Sequence, residues 1–343
     1  MTSFLRAGRA RPVAIWLFVV AALVLLMIVV GGATRLTDSG LSITQWRPVT
    51  GALPPLSDAA WQAEFALYRT IPQYLALNPG MSMADFQAIY WWEWTHRFLG
   101  RLVGAAFAVP FAVFMFRRVL TPRLVWRCAV LLLLGGLQGL VGWWMVASGL
   151  ADRISVAPER LATHLGLALI LFVGLIWTGL DAWFGTPRRT AQDRWPIVAL
   201  GLLVMTVMQS LLGALVAGND SGRVNTDWPM MSGQIIPADY LGTSVWNTIA
   251  HGQAATQFNH RMGAYLLLTY AVIVAWAAIR SHVLTSPVRG LALLVAALVC
   301  GQAVLGVITL VNAAPLGLSL AHQVGAAAVL AGATVFTWRT FRA

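Results

Sequence analysis

The chain has 343 residues, of which 59% are hydrophobic and only 10% are charged. Soluble globular domains carry about 25% charged residues, so this composition excludes an ordinary cytosolic enzyme, a disordered protein and a nucleic-acid-binding module. The formal net charge is +11, and all 23 basic residues are arginine. In so apolar a chain, this charge predicts orientation in a membrane rather than a polyanionic partner.

Eight apolar runs are long enough to cross a bilayer, because about 20 helical residues span its ~30 Å hydrocarbon core. The predicted spans are residues 13–33, 95–116, 125–147, 160–184, 195–217, 257–279, 288–311 and 317–338. The first is too long for a signal peptide and lacks a cleavage site, so we expect it to be retained. The predicted fold class is an all-α polytopic membrane protein.

The arginines are divided unequally between the two sets of connecting segments. The predicted cytoplasmic arginines are Arg6, Arg9, Arg11, Arg117, Arg118, Arg123, Arg127, Arg188, Arg189, Arg194, Arg280, Arg289, Arg339 and Arg342. Only two acidic residues, Asp181 and Asp193, lie with them. Positive residues favour the cytoplasmic side, which predicts an inner-membrane protein with both termini in the cytoplasm. Two long loops, about 34–92 and 218–256, then lie outside.

The first of these outer loops is long enough to hold structure of its own. We expect short interfacial helices in it, around Asp58–Tyr68 and Met83–Trp92.

Polar residues recur at similar separations in the two halves of the chain. The recurring pairs are His96 and His260, Gln138 and Gln302, and His164 and His322. Each of these glutamines stands four residues before a glycine, and Gln209 repeats that frame more weakly. The repeat predicts two pseudo-symmetric four-helix bundles, which have parallel orientation because an even number of crossings preserves direction. We expect the bundles to be residues 1–190 and 191–343.

Four of the six histidines would lie near the outer ends of spans two, four, six and eight: His96, His164, His260 and His322. Ionisable residues inside a membrane are costly and usually functional, and two imidazoles on facing helices can hold haem iron from both faces. The alternative, hydrogen bonds between helices, suits a lone histidine better than four repeat-related ones. A zinc site is disfavoured because no cysteine or carboxylate cluster joins either pair.

His251 and His282 have no repeat partners. We interpret both as surface residues.

Glu93 precedes His96 by three residues and therefore shares its helix face, whereas Gln257 stands in the matching place before His260. The spacing leaves two interpretations open. Glu93 is either a catalytic carboxylate or a helix-start carboxylate favoured by the helix dipole.

Arg97 and Arg261 directly follow two of the histidines. They are candidates for binding haem propionates, and the alternative is that they anchor the helices at the outer interface.

At these residues the sequence resembles the heme A synthase family. The resemblance rests on Gly31-Gly32-Ala33-Thr34-Arg35-Leu36-Thr37, Ser39-Gly40-Leu41-Ser42, Trp46, Pro48, Glu93-x-x-His96-Arg97, Gly100-Arg101, His164, Asn259-His260-Arg261 and His322. It covers about residues 13–338 and is closest to the proteobacterial and mitochondrial branch. Some bacterial relatives carry a cysteine pair in the first outer loop. Residues 34–92 contain no cysteine, so we expect no thiol-based step here.

The resemblance implies oxidation of a ring methyl group of haem o to a formyl group, which gives haem a for terminal oxidases. It implies that His260 and His322 ligate a resident haem b cofactor, that His96 and His164 hold the substrate haem o, and that Glu93 is catalytic. The partners it implies are heme O synthase, cytochrome oxidase assembly factors, membrane lipid and a second copy of the chain, with no nucleic acid.

Two histidine ligands would leave no axial position for oxygen on the substrate iron. Oxygen rebound would therefore require one histidine to leave. The alternative, which we favour, removes electrons from the macrocycle so that water attacks the methyl carbon while Glu93 takes a proton. The rival functions are a bis-histidine, quinol-linked cytochrome b that only carries electrons, and a transporter.

Overall fold

A computed structural model describes residues 10–185 and 194–342. In these residues the α-helices are α1 (Ala10–Leu36), α2 (Asp58–Tyr68), α3 (Pro72–Leu77), α4 (Met83–Phe116), α5 (Pro122–Leu150), α6 (Pro158–Phe184), α7 (Trp195–Gly218), α8 (Val245–Ala250), α9 (Gln253–Arg280), α10 (Ser286–Val311) and α11 (Leu316–Thr340). Eight of them are long and apolar enough to cross a membrane. The predicted all-α polytopic fold is confirmed. Arg6, Arg9, Arg188, Arg189 and Asp193 lie outside the described residues.

The helix starts follow local sequence signals. Ser82 begins α4 because its hydroxyl accepts a hydrogen bond from Asp85 N at 3.2 Å, and Thr121 does the same for Leu124 N at the start of α5. Such caps satisfy backbone N–H groups that have no partner within the helix. The long helices extend beyond the predicted spans because capped turns continue them past the apolar segment.

One of the two predicted loop helices is correct and the other is not. The helix predicted over Asp58–Tyr68 is α2. The segment Met83–Trp92 is not a separate interfacial helix, because it forms the first turns of α4 and continues unbroken into the second span. No glycine or proline lies between Trp92 and His96 to end the helix there.

The packing divides the eight long helices into two groups of four. In the first, α1 contacts α4 and α6, and α5 contacts the same two helices. In the second, α7 contacts α9 and α11, and α10 contacts the same two helices. The groups meet through α6 against α7 and α11, and through α1 against α11. This arrangement fits the two predicted four-helix bundles. The boundary predicted between them, at residue 190, lies outside the described part of the chain.

Two polar contacts join the groups inside the apolar core. Asp181 of α6 is 4% exposed; it accepts a hydrogen bond from Trp338 Nε1 of α11 at 2.8 Å and pairs with Arg127 of α5. Gln323 of α11 donates to the backbone oxygen of Ile28 in α1 at 2.8 Å. A buried polar group is stable only when it is hydrogen-bonded, so these contacts fix which helix faces meet.

An aromatic cluster covers the end of the first group at which α1 ends and α4 begins. Phe65 and Tyr68 of α2 pack on Phe86 and Tyr90 at the start of α4, and all four side chains are buried. The first outer loop is therefore a packed cap on the bundle.

Candidate functional site

Each repeat-related histidine packs against a glycine of a neighbouring helix in its bundle. A Cβ atom added at the glycine would lie within 3.2 Å of the histidine Cε1 in every case: 2.7 Å for Gly31 and His96, 2.9 Å for Gly142 and His164, 3.2 Å for Gly213 and His260, and 2.9 Å for Gly306 and His322. Each ring thus occupies space that any larger residue would fill. The structure brings all four predicted histidines into equivalent positions.

The second bundle brings two imidazole rings close together. The ring centres of His260 and His322 are 6.4 Å apart, and the ring planes are inclined by 84°. A metal–imidazole bond is about 2 Å long, so two rings on opposite sides of one iron place their centres about 6 Å apart. The residues present therefore fit a haem held between these two helices.

In the first bundle, the corresponding histidines are His96 and His164. The Nδ1 atoms of both rings are buried and have no hydrogen-bond partner within the described residues. Buried polar atoms in native proteins nearly always have a partner, so these nitrogens fit a site completed by a ligand. In the described part of the chain no three His, Cys, Asp or Glu residues cluster as a metal site.

Glu93 is 2% exposed and lies in a dense hydrogen-bond network. Its Oε2 accepts from Ser42 Oγ and from Ile43 N, both at 2.8 Å. Its Oε1 accepts from Arg97 Nε at 3.0 Å and from Arg97 Nη2 at 2.6 Å. A carboxylate has about four lone-pair positions, and all of them are used here.

The same network recurs in the second bundle with opposite polarity. Gln257 Nε2 donates to the backbone oxygens of Ser221 at 2.9 Å and Val224 at 2.6 Å, and Gln257 Oε1 accepts from Arg261 Nη2 at 3.3 Å. The loop after α1 presents hydrogen-bond donors to Glu93, whereas the loop after α7 presents hydrogen-bond acceptors to Gln257. Glu93 and Gln257 therefore both fasten an outer loop to the bundle, but neither can simply replace the other.

Arg97 and Arg261 also hold these loops. Arg97 donates to Ile43 O at 2.7 Å and Gln45 O at 3.0 Å, and Arg261 donates to Asn225 O at 2.7 Å and Met230 O at 2.8 Å. Arg97 is neutralised by Glu93. The hydrogen bonds of Arg261 go to neutral oxygens, and its buried Nε has no partner in the described residues.

An ion-pair group ties the two outer loops together. Arg35, at the end of α1, pairs with Asp38 at 2.9 Å and with Asp220 at 2.8 Å. Both aspartates stand two residues after their helices and adopt positive φ, 52° and 54°, a region that aspartate tolerates better than most residues. Burial raises the pKa of the Asp38 carboxyl, and the neighbouring Arg35 guanidinium opposes that shift.

Comparison with known proteins decides the family. The family described as "Cytochrome oxidase assembly protein" (COX15-CtaA) matches residues 14–334. The chain is 59% identical over 342 residues to "Heme A synthase" of Caulobacter sp. (strain K31), and the match covers 100% of both chains. It is 48% identical to "Heme A synthase" of Rhodopseudomonas palustris (strain HaA2), over 93% of this chain and 87% of the relative. The "Heme A synthase" of Parvibaculum lavamentivorans is 47% identical, over 97% and 94%.

The chain belongs to the heme A synthase family. The resemblance drawn from Glu93-x-x-His96-Arg97 and the later histidines is thereby confirmed. The site residues themselves remain predictions of the sequence and the geometry.

The two remaining histidines lie apart from the paired sites. His251 Nε2 is 3.6 Å from Glu159 Oε2 above the bundles, and both side chains are partly exposed. His282 is exposed between α9 and α10. Their placement agrees with the interpretation of both as surface residues.

Two parts of the site were not predicted from the sequence. Ser42 and Ile43 reach Glu93 from a loop 50 residues away, which no local pattern indicates. The glutamines were noted for their repeat spacing, but not as partners of the histidines. Gln138, Gln209 and Gln302 each donate to the backbone oxygen of one histidine.

Proposed function

We propose that this chain is a heme A synthase, which oxidises a ring methyl group of haem o to a formyl group and so supplies haem a to terminal oxidases. The 59% identity to a Caulobacter heme A synthase over both whole chains supports the activity. The observation that carries it in the structure is the pair of two-histidine sites, of which only the first has a carboxylate three residues before its histidine. An electron-carrying cytochrome b would need no such difference between its sites.

The resident haem b is held by His260 and His322. The ring separation of 6.4 Å supports this assignment, as does Arg261, whose hydrogen bonds go to neutral oxygens and whose Nε has no partner in the described residues, which suits a propionate. When bound, haem b supplies one-electron redox chemistry. The chain's own contribution is to fix the two imidazoles and to keep water away from the iron.

The substrate haem o is held between His96 and His164 in the first bundle. The unpartnered Nδ1 atoms support this assignment. The aromatic cap of α2 and α4 closes the outer end above the site and limits the entry of water. Arg97 remains the propionate candidate of this bundle, although Glu93 already compensates its charge.

Glu93 takes a proton as water adds to the substrate's methyl carbon. Converting a methyl group to a formyl group with oxygen from water releases four electrons and four protons; the electrons pass to a one-electron acceptor outside this chain, and Glu93 takes up one of the protons. Because four donors fill the lone pairs of Glu93, the carboxylate accepts a proton only after one donor withdraws. The Ser42 hydroxyl is the neutral side-chain donor of the four, so its release costs less than release of the charge-assisted bonds from Arg97.

The protein lies in the inner membrane with both termini in the cytoplasm. The support is the division of arginines, 14 on one side against two acidic residues. The two haem sites then share the outer half of the membrane. Heme O synthase and cytochrome oxidase assembly factors are the partners proposed for delivery of haem o and acceptance of haem a, and a second copy of the chain is a further proposed partner.

The test is expression in cells that make haem o but have no heme A synthase of their own. Haem extracted from these cells and separated by chromatography should contain haem a when the chain is present. A strain carrying an electron-transfer cytochrome b would contain only haem b and haem o. Recovery of a haem b spectrum without any haem a would contradict the proposal.

A further inference from the structure

The bundle-facing side of α5 is interrupted by an open groove. Gly135 and Gly139 stand seven and three residues before Gly142, so they share the helix face that packs against His164. Leu131, one turn further along this face, is buried, whereas Gly135 and Gly139 are exposed. A Cβ atom added at either glycine would meet no heavy atom of the described residues within 4 Å. Helix packing therefore does not explain why small residues stand here.

A glycine of α4 lines the other side of the groove. Gly104 stands seven residues after Arg97, whose guanidinium lies 5.9 Å from the ring centre of Trp143 in α5, so Gly104 is also on the side of α4 that faces α5. Gly104 is exposed, and in the described part of the chain its added Cβ atom would meet nothing within 4 Å. The two helices contact each other far less than α9 contacts α10, which leaves the seam between them open.

The groove begins at the two histidines of the first bundle. On α5, Gly135 lies about two turns from Gly142, on which the His164 ring rests. On α4, Gly104 lies about two turns from His96. Because the two helices are antiparallel, the groove extends in one direction from the imidazoles, over about 10–12 Å. The Nδ1 atoms of both histidines are buried and have no partner in the described residues, so a ligand at these rings would also reach the groove.

The second bundle has larger side chains in the corresponding places. The separation of 164 residues that relates the histidines of α4 and α9, and the glutamines of α5 and α10, matches Gly135 to Val299 and Gly104 to Leu268. Val299 is 4% exposed, and Leu268 packs against the hydrophobic core. The space that is open beside the first pair of histidines is therefore filled beside the second pair.

We propose that the groove lined by Gly104, Gly135 and Gly139 holds the long isoprenoid side chain of haem o, which haem b lacks. In the second bundle, Val299 and Leu268 exclude this chain. The inference rests on the proposed function, in which the first bundle binds haem o and the second binds haem b. Membrane lipid is as apolar as the groove, so the groove selects by shape, and a side chain that fills it is enough to reject the isoprenoid chain.

The test compares the haem content of variants purified from cells that make both haems. Gly135→Val gives the first bundle the side chain that the second bundle has. It should lower bound haem o by about tenfold or more, because extra methyl groups in a filled space are costly. The haem b held by His260 and His322 should be retained, which also shows that the variant has folded.

The matched control is Gly301→Val in α10. Gly301 is exposed, and its added Cβ atom would likewise meet no described heavy atom within 4 Å. It stands five residues before Gly306 and therefore lies on a different face of the helix from the histidine contact. This variant should contain both haems at wild-type levels.

The reciprocal variant keeps the proposal testable if Gly135→Val does not fold. Val299→Gly opens the second bundle, and it is combined with His96→Ala so that any haem o must be bound there. The double variant should retain haem o, whereas His96→Ala alone should contain only haem b.

Wild-type haem o content in folded Gly135→Val would overturn the proposal and assign the groove to membrane lipid. Equal loss of haem o in Gly301→Val would also overturn it, as would a double variant that holds haem b alone. Failure of the proposed function looks different, because the wild-type protein would then bind no haem o or yield no haem a.

Discussion

At the scale of single residues, the central feature is that Glu93 and Gln257 fasten corresponding loops with opposite hydrogen-bond polarity. Glu93 accepts from Ser42 and Ile43, whereas Gln257 donates to backbone oxygens. A carboxylate therefore has two roles in the first bundle: it holds the loop, and it is the proposed proton acceptor. Any test of its chemistry must separate these roles.

Glu93→Gln should lower conversion of haem o by about 10²–10⁴-fold, the usual contribution of a general base. The amide keeps the size of the side chain but cannot take up a proton at neutral pH; its NH2 group would also face the donors Ser42 Oγ and Ile43 N, so the loop contact is weakened as well. Haem b should remain bound at His260 and His322, and haem o should still bind. The measurement is the yield of haem a per molecule of bound haem o, with haem b content read from the same sample.

Ser42→Ala is the matched control, because it removes one loop contact of Glu93 but leaves the carboxylate. It should retain most of the wild-type yield of haem a, since the hydroxyl is the donor proposed to withdraw. If Ser42→Ala and Glu93→Gln lose activity equally, Glu93 acts only by holding the loop.

The sequence could predict where the candidate residues stand along the helices but not how they are connected. The four histidines follow from the repeat spacing, and Glu93 from its three-residue distance to His96. The contact of Glu93 with Ser42 depends on how α1 ends and the chain turns back, which is a tertiary property. The pairing of Gln209 with His260 likewise crosses between helices, so spacing along one helix does not reveal it.

At the scale of helices, the glycine facing each histidine determines where the ring can lie. Gly306→Ala should displace the His322 ring, because the new Cβ atom would lie 2.9 Å from Cε1, well inside normal contact distance. We expect reduced haem b content and a shift from low-spin toward high-spin absorption in purified protein.

The same helix provides the control. A Cβ atom at Gly301 would meet no heavy atom within 4 Å, so Gly301→Ala should keep the wild-type spectrum. If both substitutions leave haem b unchanged, the ring position seen here is not the one that ligates iron.

Helix boundaries were less predictable from sequence than the helices themselves. Apolar length identifies eight spans because the bilayer requires about 20 apolar residues for each. It does not identify the start of α4, where polar and aromatic residues from Met83 onward continue the helix into the outer cap. There the hydroxyl of Ser82 and packing against α2 decide the boundary, not hydropathy.

At the scale of the whole molecule, the proposed orientation places both haem sites toward the outer face. Reporter fusions near residues 60 and 235 should report the outer side, and a fusion after residue 342 should report the cytoplasm, because arginine-rich segments are retained there. A cytoplasmic signal from the 34–92 loop would contradict this orientation and move all four histidines to the inner half of the membrane.

One measurement tests most directly which bundle holds the substrate haem and which holds the cofactor haem. It compares one ligand variant from each bundle. His96→Ala and His322→Ala would be purified from cells that make haem o, and their extracted haems identified by mass spectrometry. We predict that His96→Ala retains haem b but yields little or no haem a, and that His322→Ala loses haem b. Loss of haem b from His96→Ala, with normal haem a from His322→Ala, would contradict the assignment of substrate to the first bundle and cofactor to the second.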